Sequence, residues 1–474
     1  MHATNLLKSA TLLLLTLSAA PVEPSLPDPA KEEGRVIVLG IDGGDYETAK
    51  ELIEAGKLPN LAKLAQQGTF APLTSTISPE SPTAWAALNT GRNPSETGVP
   101  GFVKRTFRDI GGQEVPMPDI GHQVSGDRPM SDFQADGLLG LIQGLGGGKL
   151  MALVGILAAL VFFFVLKFLL KLGALPSGLI ALFMGGVGAF SAKQAARFVP
   201  ETIPSVVSNP LKAVPFWEIA AEGGERCVVL DAAMAWDRDP VEGARVLAGL
   251  GVPDIRGANG EWFIYTTDDF AFERPPKGKK KGLTAGTIFR VDWNGDRIDT
   301  ELFGPLNPHA SKAIEAEIAE IEQKLGDPGL GWKEGSALRD RQKRLKEELS
   351  LGPRATLPLS IKRAENGLRV TLGTETQVIQ EGAWSDWYSL AFELNPLVKA
   401  HAVTRVKLVS INEPHFELFV NTLDIDPSKT PFWQPISQPA GFSRELAEWL
   451  GEPYETFGWA CVTMPFKDGK IGGE

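Results

Sequence analysis

Arg35-Val36-Ile37-Val38-Leu39-Gly40-Ile41, running into Asp42-Gly43-Gly44, is the stretch on which the reading of the fold turns. Its side chains are apolar and rich in β-branched types, without alternation. That is the pattern of a strand covered on both faces, as in parallel sheets flanked by helices. In open α/β sheets, ligands collect beyond the carboxyl ends of the strands. Asp42 sits at that end, and the glycines after it allow close approach to the backbone. A carboxylate so placed can hold a metal ion. It reads equally well as a turn residue capping the helix expected over Tyr46–Ala55.

Working outward, Pro59-Asn60-Leu61-Ala62-Lys63-Leu64 predicts a short helix ended by Gly68, followed by a strand from Thr69 to Ser75. Ser78-Pro79-Glu80-Ser81-Pro82-Thr83-Ala84-Trp85 then announces another helix start, with Ser81 as N-cap and Pro82 at the first helical position. The unpaired N–H groups and positive dipole end of such a helix suit a phosphate group. A serine hydroxyl there becomes a nucleophile if a metal ion stabilises its alkoxide. Taken alone, Ser81 is no more than a capping serine. Thr83 is the fallback nucleophile, two residues inside the helix.

Composition narrows the function classes. The 474 residues carry 47 Lys+Arg against 58 Asp+Glu, a net charge of −11, which argues against a nucleic-acid binder. Apolar residues at 43% and charged residues at 22% exclude both a disordered chain and an all-membrane one. Two cysteines, Cys227 and Cys461, cannot build a disulfide framework.

Residues 1–20, with Lys8 ahead of the apolar Ala10–Ala20, read as an export signal or an uncleaved N-terminal anchor. Leu150–Leu166 and Leu172–Ala192 are uncharged and each approaches the length that crosses ~30 Å of hydrocarbon. They predict a transmembrane hairpin within 150–192, with Lys167 and Lys171 in its turn on the cytoplasmic side. One longer span fails on parity, since the chain must return to the side it left. A buried core hairpin fits less well, because no polar face is present.

Beyond it, Pro215–Gly223 predicts a helix and Arg226–Leu230 a buried strand. Pro275–Gly282 is an exposed basic loop. Ser311–Leu325 and Ser336–Leu349 form a charged helical hairpin, broken at Asp327–Gly331. Runs such as Leu368–Leu372 and Ala402–Leu408 predict an antiparallel β segment. The expected organisation is an α/β domain beginning over 34–135 and resuming over 210–305, with the membrane hairpin inserted. A helical hairpin at 309–350, an accessory β region at 353–430 and a return towards the α/β domain at 440–474 follow.

Three stretches together resemble the type I phosphodiesterase/nucleotide pyrophosphatase branch of the alkaline phosphatase superfamily. They are VIVLGIDGGD (36–45), GKLPNLAKLAQQGTF (56–70) and SPESPTAWAALNTGRNPSETGVPGF (78–102). Looser likeness continues through PFWEIAAEGGERCVVLDAAMAWDRDP, GLGVPD, GAWSDWYSLAFEL, FELFVNTLDIDP and FSRELAEWLGEPYETFGWA. The resemblance implies an incomplete alkaline-phosphatase-like α/β/α sandwich. It also implies two divalent metal ions, zinc suiting a mixed Asp/His set. Asp42 and Ser81 would bind metal, and Ser81 would attack a phosphate ester to give a phospho-enzyme.

The family completes its metal site with Asp-x-x-x-His and Asp-His-Gly motifs, and neither occurs here. His122, His309, His401 and His415 read as surface or loop residues. The chain stops at Gly472-Gly473-Glu474 where the second half of the site is expected, so a piece of a longer protein is anticipated. The implied function is a metal-dependent phosphoric ester hydrolase of a bacterial-type cell envelope, anchored in the lipid bilayer with its α/β domain outside the cytoplasm. A head-group transferase of the same superfamily and a non-catalytic envelope scaffold are the alternatives.

Overall fold

The computed structural model describes residues 35–451 apart from 111, 122, 136, 259, 269–285 and 327–330, together with 453–454, 466–467 and 470–471. The export signal read at 1–20, His122, Cys461 and the basic loop at 275–282 lie outside the described residues. The chain divides into two units, one ending at Ala71 and the other starting at Pro72.

In the first unit, helix α1 is Tyr46–Glu54 and α2 is Pro59–Gln67. Asp45 caps α1, its carboxylate accepting the Thr48 N–H at 2.8 Å. The Thr48 side chain, and then this Thr48 N–H, hold the Asp45 carboxyl below the usual range. Proline at the start of α2 and Gly68 at its end are the stop and start signals the sequence displays. Tyr46 stacks on Phe70 at 4.8 Å.

The strand expected over Arg35–Ile41 is not formed. The segment makes no ladder, and Val36 is 91% exposed and Leu39 82%. A β-branched run becomes a strand only when neighbouring strands take up its N–H and C=O groups; the described elements of this unit are helices. Thr69–Ser75, also expected as a strand, is likewise without regular structure.

The second unit opens with α3, Ser81–Thr90, and α4, Pro94–Thr97. Strands β1 (Val103–Ile110) and β2 (Gln113–Ile120) form an antiparallel ribbon. Strand β3 (Val124–Pro129) leads to the long helices α5 (Gly137–Phe164) and α6 (Ala174–Ala196), and β4 (Thr202–Ser208) returns beside β3. The two helices extend the predicted apolar runs at their outer ends. They pack through small residues: a Cβ on Gly185 would lie 2.9 Å from the Gly155 carbonyl oxygen and 3.0 Å from Ala159 Cβ.

Helix α7 (Phe216–Glu222) precedes β5 (Cys227–Ala232) and β6 (Ala244–Ala248), a parallel pair. β5 is an edge strand with Val228 and Leu230 exposed, which corrects the expectation of a buried one. Strands β7 (Phe263–Thr266) and β8 (Thr287–Arg290) are the other parallel pair, and β9 (Arg297–Leu306) leads into helices α8 (Pro308–Leu325) and α9 (Trp332–Leu351). These helices close on Ile314, Ile318, Ile321 and Leu345, with Arg341 bridging to Glu317 at 2.9 Å.

Antiparallel strands follow: β10 (Arg354–Ala364), β11 (Gly367–Leu372), β12 (Glu375–Ile379), β13 (Tyr388–Asn395), β14 (Val398–Thr404), β15 (Val406–Asn412) and β16 (His415–Val420). Short strands β17 (Asp424–Ile425) and β18 (Ser437–Gln438) and helix α10 (Phe442–Leu450) complete the body. The expected run Ala402–Leu408 is thus split at Arg405 between β14 and β15. The fold is mixed α/β, with seven separate sheets of two to four strands among the described residues. One buried cluster joins Ala86 of α3, Trp217 of α7 and Val246 of β6 to Tyr265, Leu302, Ile361, Phe392 and Val406 of the β-rich part.

Candidate active site

α1 is capped by Asp45, so Asp42 is not its cap; Asp42 occupies a turn with Gly43, whose φ of 64° requires the left-handed region. At α3 the N-cap is Glu80, and no side-chain capping bond is made. Ser81 is therefore the first helical residue rather than the cap, one position later than the sequence suggested. It is half-buried. The N–H groups of a first helical turn have no intrahelical acceptor and carry the positive end of the dipole. Thr83, the fallback, is fully buried and its hydroxyl makes no hydrogen bond, so no substrate reaches it in this packing.

Glu80 organises the approach to α3. Its carboxylate accepts the Phe102 N–H at 2.6 Å and the Ser78 hydroxyl at 3.1 Å. A Cβ on Gly101 would meet the same carboxylate at 2.6 Å, so only glycine admits this contact. At the other end, Gly91 takes the left-handed C-cap with φ 64°. Asn89, 3% exposed, donates to the Ala233 carbonyl at 2.8 Å and locks the helix to the loop after β5. Asp231 near the end of β5 and Met234 and Asp237 in that loop all adopt positive φ, a concentration of backbone strain at the carboxyl end of a parallel strand. Arg238 closes it with a two-pronged ion pair to Glu218 of α7, one arm at 2.8 Å. Sequence reasoning passed over Glu80, Asn89 and Asp231. Asp231 is the penultimate residue of β5, and its place after Arg226–Leu230 was the available signal.

Asp42 belongs to the unit ending at Ala71 and Ser81 to the unit starting at Pro72. Of the described histidines, His415 is exposed as expected, whereas His309 and His401 are half-buried in regular elements. His309 lies in α8 against the Phe198 ring, His401 is half-buried in β14, and His415 on β16 contacts the Thr267 carbonyl at 3.2 Å through Nδ1. Burial is the main cause holding the His401 imidazole below its ordinary pKa. Among the described residues, no group of three or more His, Cys, Asp or Glu side chains converges as a metal site. Asp42 and Ser81 alone do not make a ligand set for a pair of ions.

No curated protein and no solved structure matches the chain. Residues 36–123, the span that runs from the exposed apolar segment through Asp42 and Ser81 to the end of the β1–β2 ribbon, match the family of Type I phosphodiesterase / nucleotide pyrophosphatase, whose members are phosphoester hydrolases.

Proposed function

We propose that the chain bears the nucleophile of a phosphoric ester hydrolase, with Ser81 as the attacking group. The observation that carries this reading is the position of Ser81. It is a half-buried hydroxyl at the first position of α3, inside the 36–123 match. The positive dipole end of α3 favours the negative charge of a phosphoryl group there. Asp42 is proposed as a ligating carboxylate by its place at the end of the apolar segment, inside the same match. The family is typically metal-dependent, but the described residues do not fit a pair of metal ions, so no step is routed through one.

The hairpin α5–α6 is proposed as the bilayer anchor. Its outer face presents Leu153, Ile156, Leu157, Leu160, Phe183 and Phe190 to the surroundings without a charged residue among them. Lys167 and Lys171 at the tip favour a cytoplasmic turn, and Lys149, Lys193 and Arg197 at the root pull the other way.

The test is hydrolysis of bis-p-nitrophenyl phosphate by the membrane-reconstituted chain with added Zn²⁺, against Ser81→Ala. Loss of turnover in the variant, with an unchanged melting profile, supports the assignment. Equal turnover in both proteins removes Ser81 as the nucleophile. If neither turns over, with or without Zn²⁺, the hydrolase reading of this chain fails.

A further inference from the structure

Helix α5 is too long for the membrane it is proposed to cross. From Gly137 to Phe164 it has 28 residues, ~42 Å at ~1.5 Å per residue. The hydrocarbon layer is only ~30 Å thick. Gly146 resolves the mismatch: with φ 67° and ψ 161° it breaks the helix in two. The part after the break spans ~27 Å. What precedes it, Gly137-Leu138-Leu139-Gly140-Leu141-Ile142-Gln143-Gly144-Leu145, is a separate short helix without one charge.

Its two faces differ in surroundings but not in polarity. Leu139 packs with Met130, Ile203, Val206 and Val398, while Ile142 packs with Leu150 and Ala192. The Gln143 amide donates to the carbonyls of Met130 (3.0 Å) and Phe133 (2.6 Å), fixing the helix to the body. The opposite face holds Leu138 at 61% and Leu141 at 53% exposure. A helix facing water on that side would carry charged or polar residues there.

The covering phase is indicated by continuity and charge. The same chain passes through Gly146 directly into the apolar hairpin. Gly147 lies against Ala196, its Cβ position 3.8 Å from that methyl, so Lys149 shares one end of the hairpin with Lys193 and Arg197. All three cations are exposed. Long cationic side chains at the ends of membrane helices reach the level of the head groups.

We infer that Gly137–Leu145 lies in the plane of the bilayer interface, with Leu138 and Leu141 sunk among the head groups and Lys149, Lys193 and Arg197 level with the lipid phosphates. The β3–β4 sheet, which carries Ile203 and Val206, then rests directly on the membrane. This rests on the reading of α5–α6 as a membrane hairpin.

The test uses the full chain in phosphatidylcholine/phosphatidylglycerol vesicles, with Cys227→Ser and Cys461→Ser. A fluorescent thiol probe is placed through Leu141→Cys, through Leu138→Cys, or mid-hairpin through Leu157→Cys. All three positions are exposed, so labelling disturbs no packing. Spin-labelled lipids quench at either a shallow or a deep position. The expected result is at least ~2-fold stronger quenching by the shallow label at 138 and 141, and the reverse at 157. No quenching at 138 and 141 with deep quenching at 157 overturns the interfacial helix and leaves the hairpin standing. Deep quenching at 141 also overturns it, making that residue part of the span. No quenching at any position overturns the hairpin reading, and this inference with it.

Discussion

The Glu80 carboxylate accepts the Phe102 N–H at 2.6 Å, so the residue just before Ser81 is tied to the segment leading into β1. A charged acceptor makes a stronger bond than a neutral one, and the contact is part-buried. Glu80→Ala leaves the Phe102 N–H without its acceptor and is expected to destabilise by ~1–3 kcal/mol. Glu80→Gln keeps an acceptor oxygen and is expected to lose less than half as much. Thermal unfolding of the detergent-solubilised chain measures both. Equal losses in the two variants refute the hydrogen-bond account.

Asn89 holds the opposite end of α3. Its side chain is buried and gives a hydrogen to the Ala233 carbonyl 144 residues away in sequence. Asn89→Leu removes the donor and strands that carbonyl, at an expected cost of ~1–3 kcal/mol. Asn89→Asp carries no donor in its ionised form and places a charge against a carbonyl oxygen, so it is expected to cost at least as much. A melting temperature for Asn89→Asp at or above that of the parent at neutral pH would show that the bond does not support the helix.

Legibility in the sequence followed the range of the interaction. α1, α2 and the α8–α9 pair were readable because their start and stop signals and apolar periodicity lie within a few residues. The apolar hairpin was readable because lipid-length runs without charge are rare. Arg35–Ile41 was read as a strand on composition alone, and composition cannot supply the neighbouring strands that a ladder needs. The N-cap of α3 fell on Glu80 instead of Ser81. Serine is the better cap by local pattern, whereas the side chain of Glu80 is engaged 22 residues ahead with Phe102. Asn89 to Ala233, and the paired bonds between Gln434 and Val207 at 3.2 and 3.1 Å, join residues too distant in sequence for any local pattern to expose. The exposed face of β5 was missed because a β-branched run looks the same at an edge as in the middle of a sheet.

Asp254 predicts a pH dependence of stability. It is 2% exposed and accepts the N–H groups of Arg256 (2.8 Å), Ala258 (2.9 Å) and Glu261 (3.3 Å). Burial outweighs these bonds and the nearby Arg256, pushing its pKa up to about 6. In the unfolded chain the group titrates near ~3.9. Between those values the folded state holds the extra proton, so stability falls as pH rises from ~4 to about 6. The loss is complete above that window and is bounded by ~3 kcal/mol. Asp254→Asn keeps the two bonds to one oxygen and abolishes the titration. The stability difference between parent and variant should therefore shift in the variant's favour across that window; curves that stay parallel would exclude Asp254 as the cause.

The last prediction concerns the seam of the hairpin. A side chain at Gly185 would collide with the Gly155 carbonyl and Ala159, and Gly188 stands 3.6 Å from Val154 Cγ1 by its Cβ position. Close approach through small residues is how helices associate where lipid offers no hydrophobic drive. Val154→Cys with Gly188→Cys should cross-link readily under mild oxidation in vesicles. Adding Gly185→Leu should abolish the cross-link by wedging the helices apart. Each helix is long and apolar enough to remain inserted alone, so alkaline carbonate should still fail to extract the protein. The body's melting temperature should also hold, because the seam lies beyond the Leu139–Ile203 cluster that anchors the root. If Gly185→Leu leaves the cross-link intact, the helices do not meet along this face. If carbonate releases the parent protein, they do not reside in the bilayer.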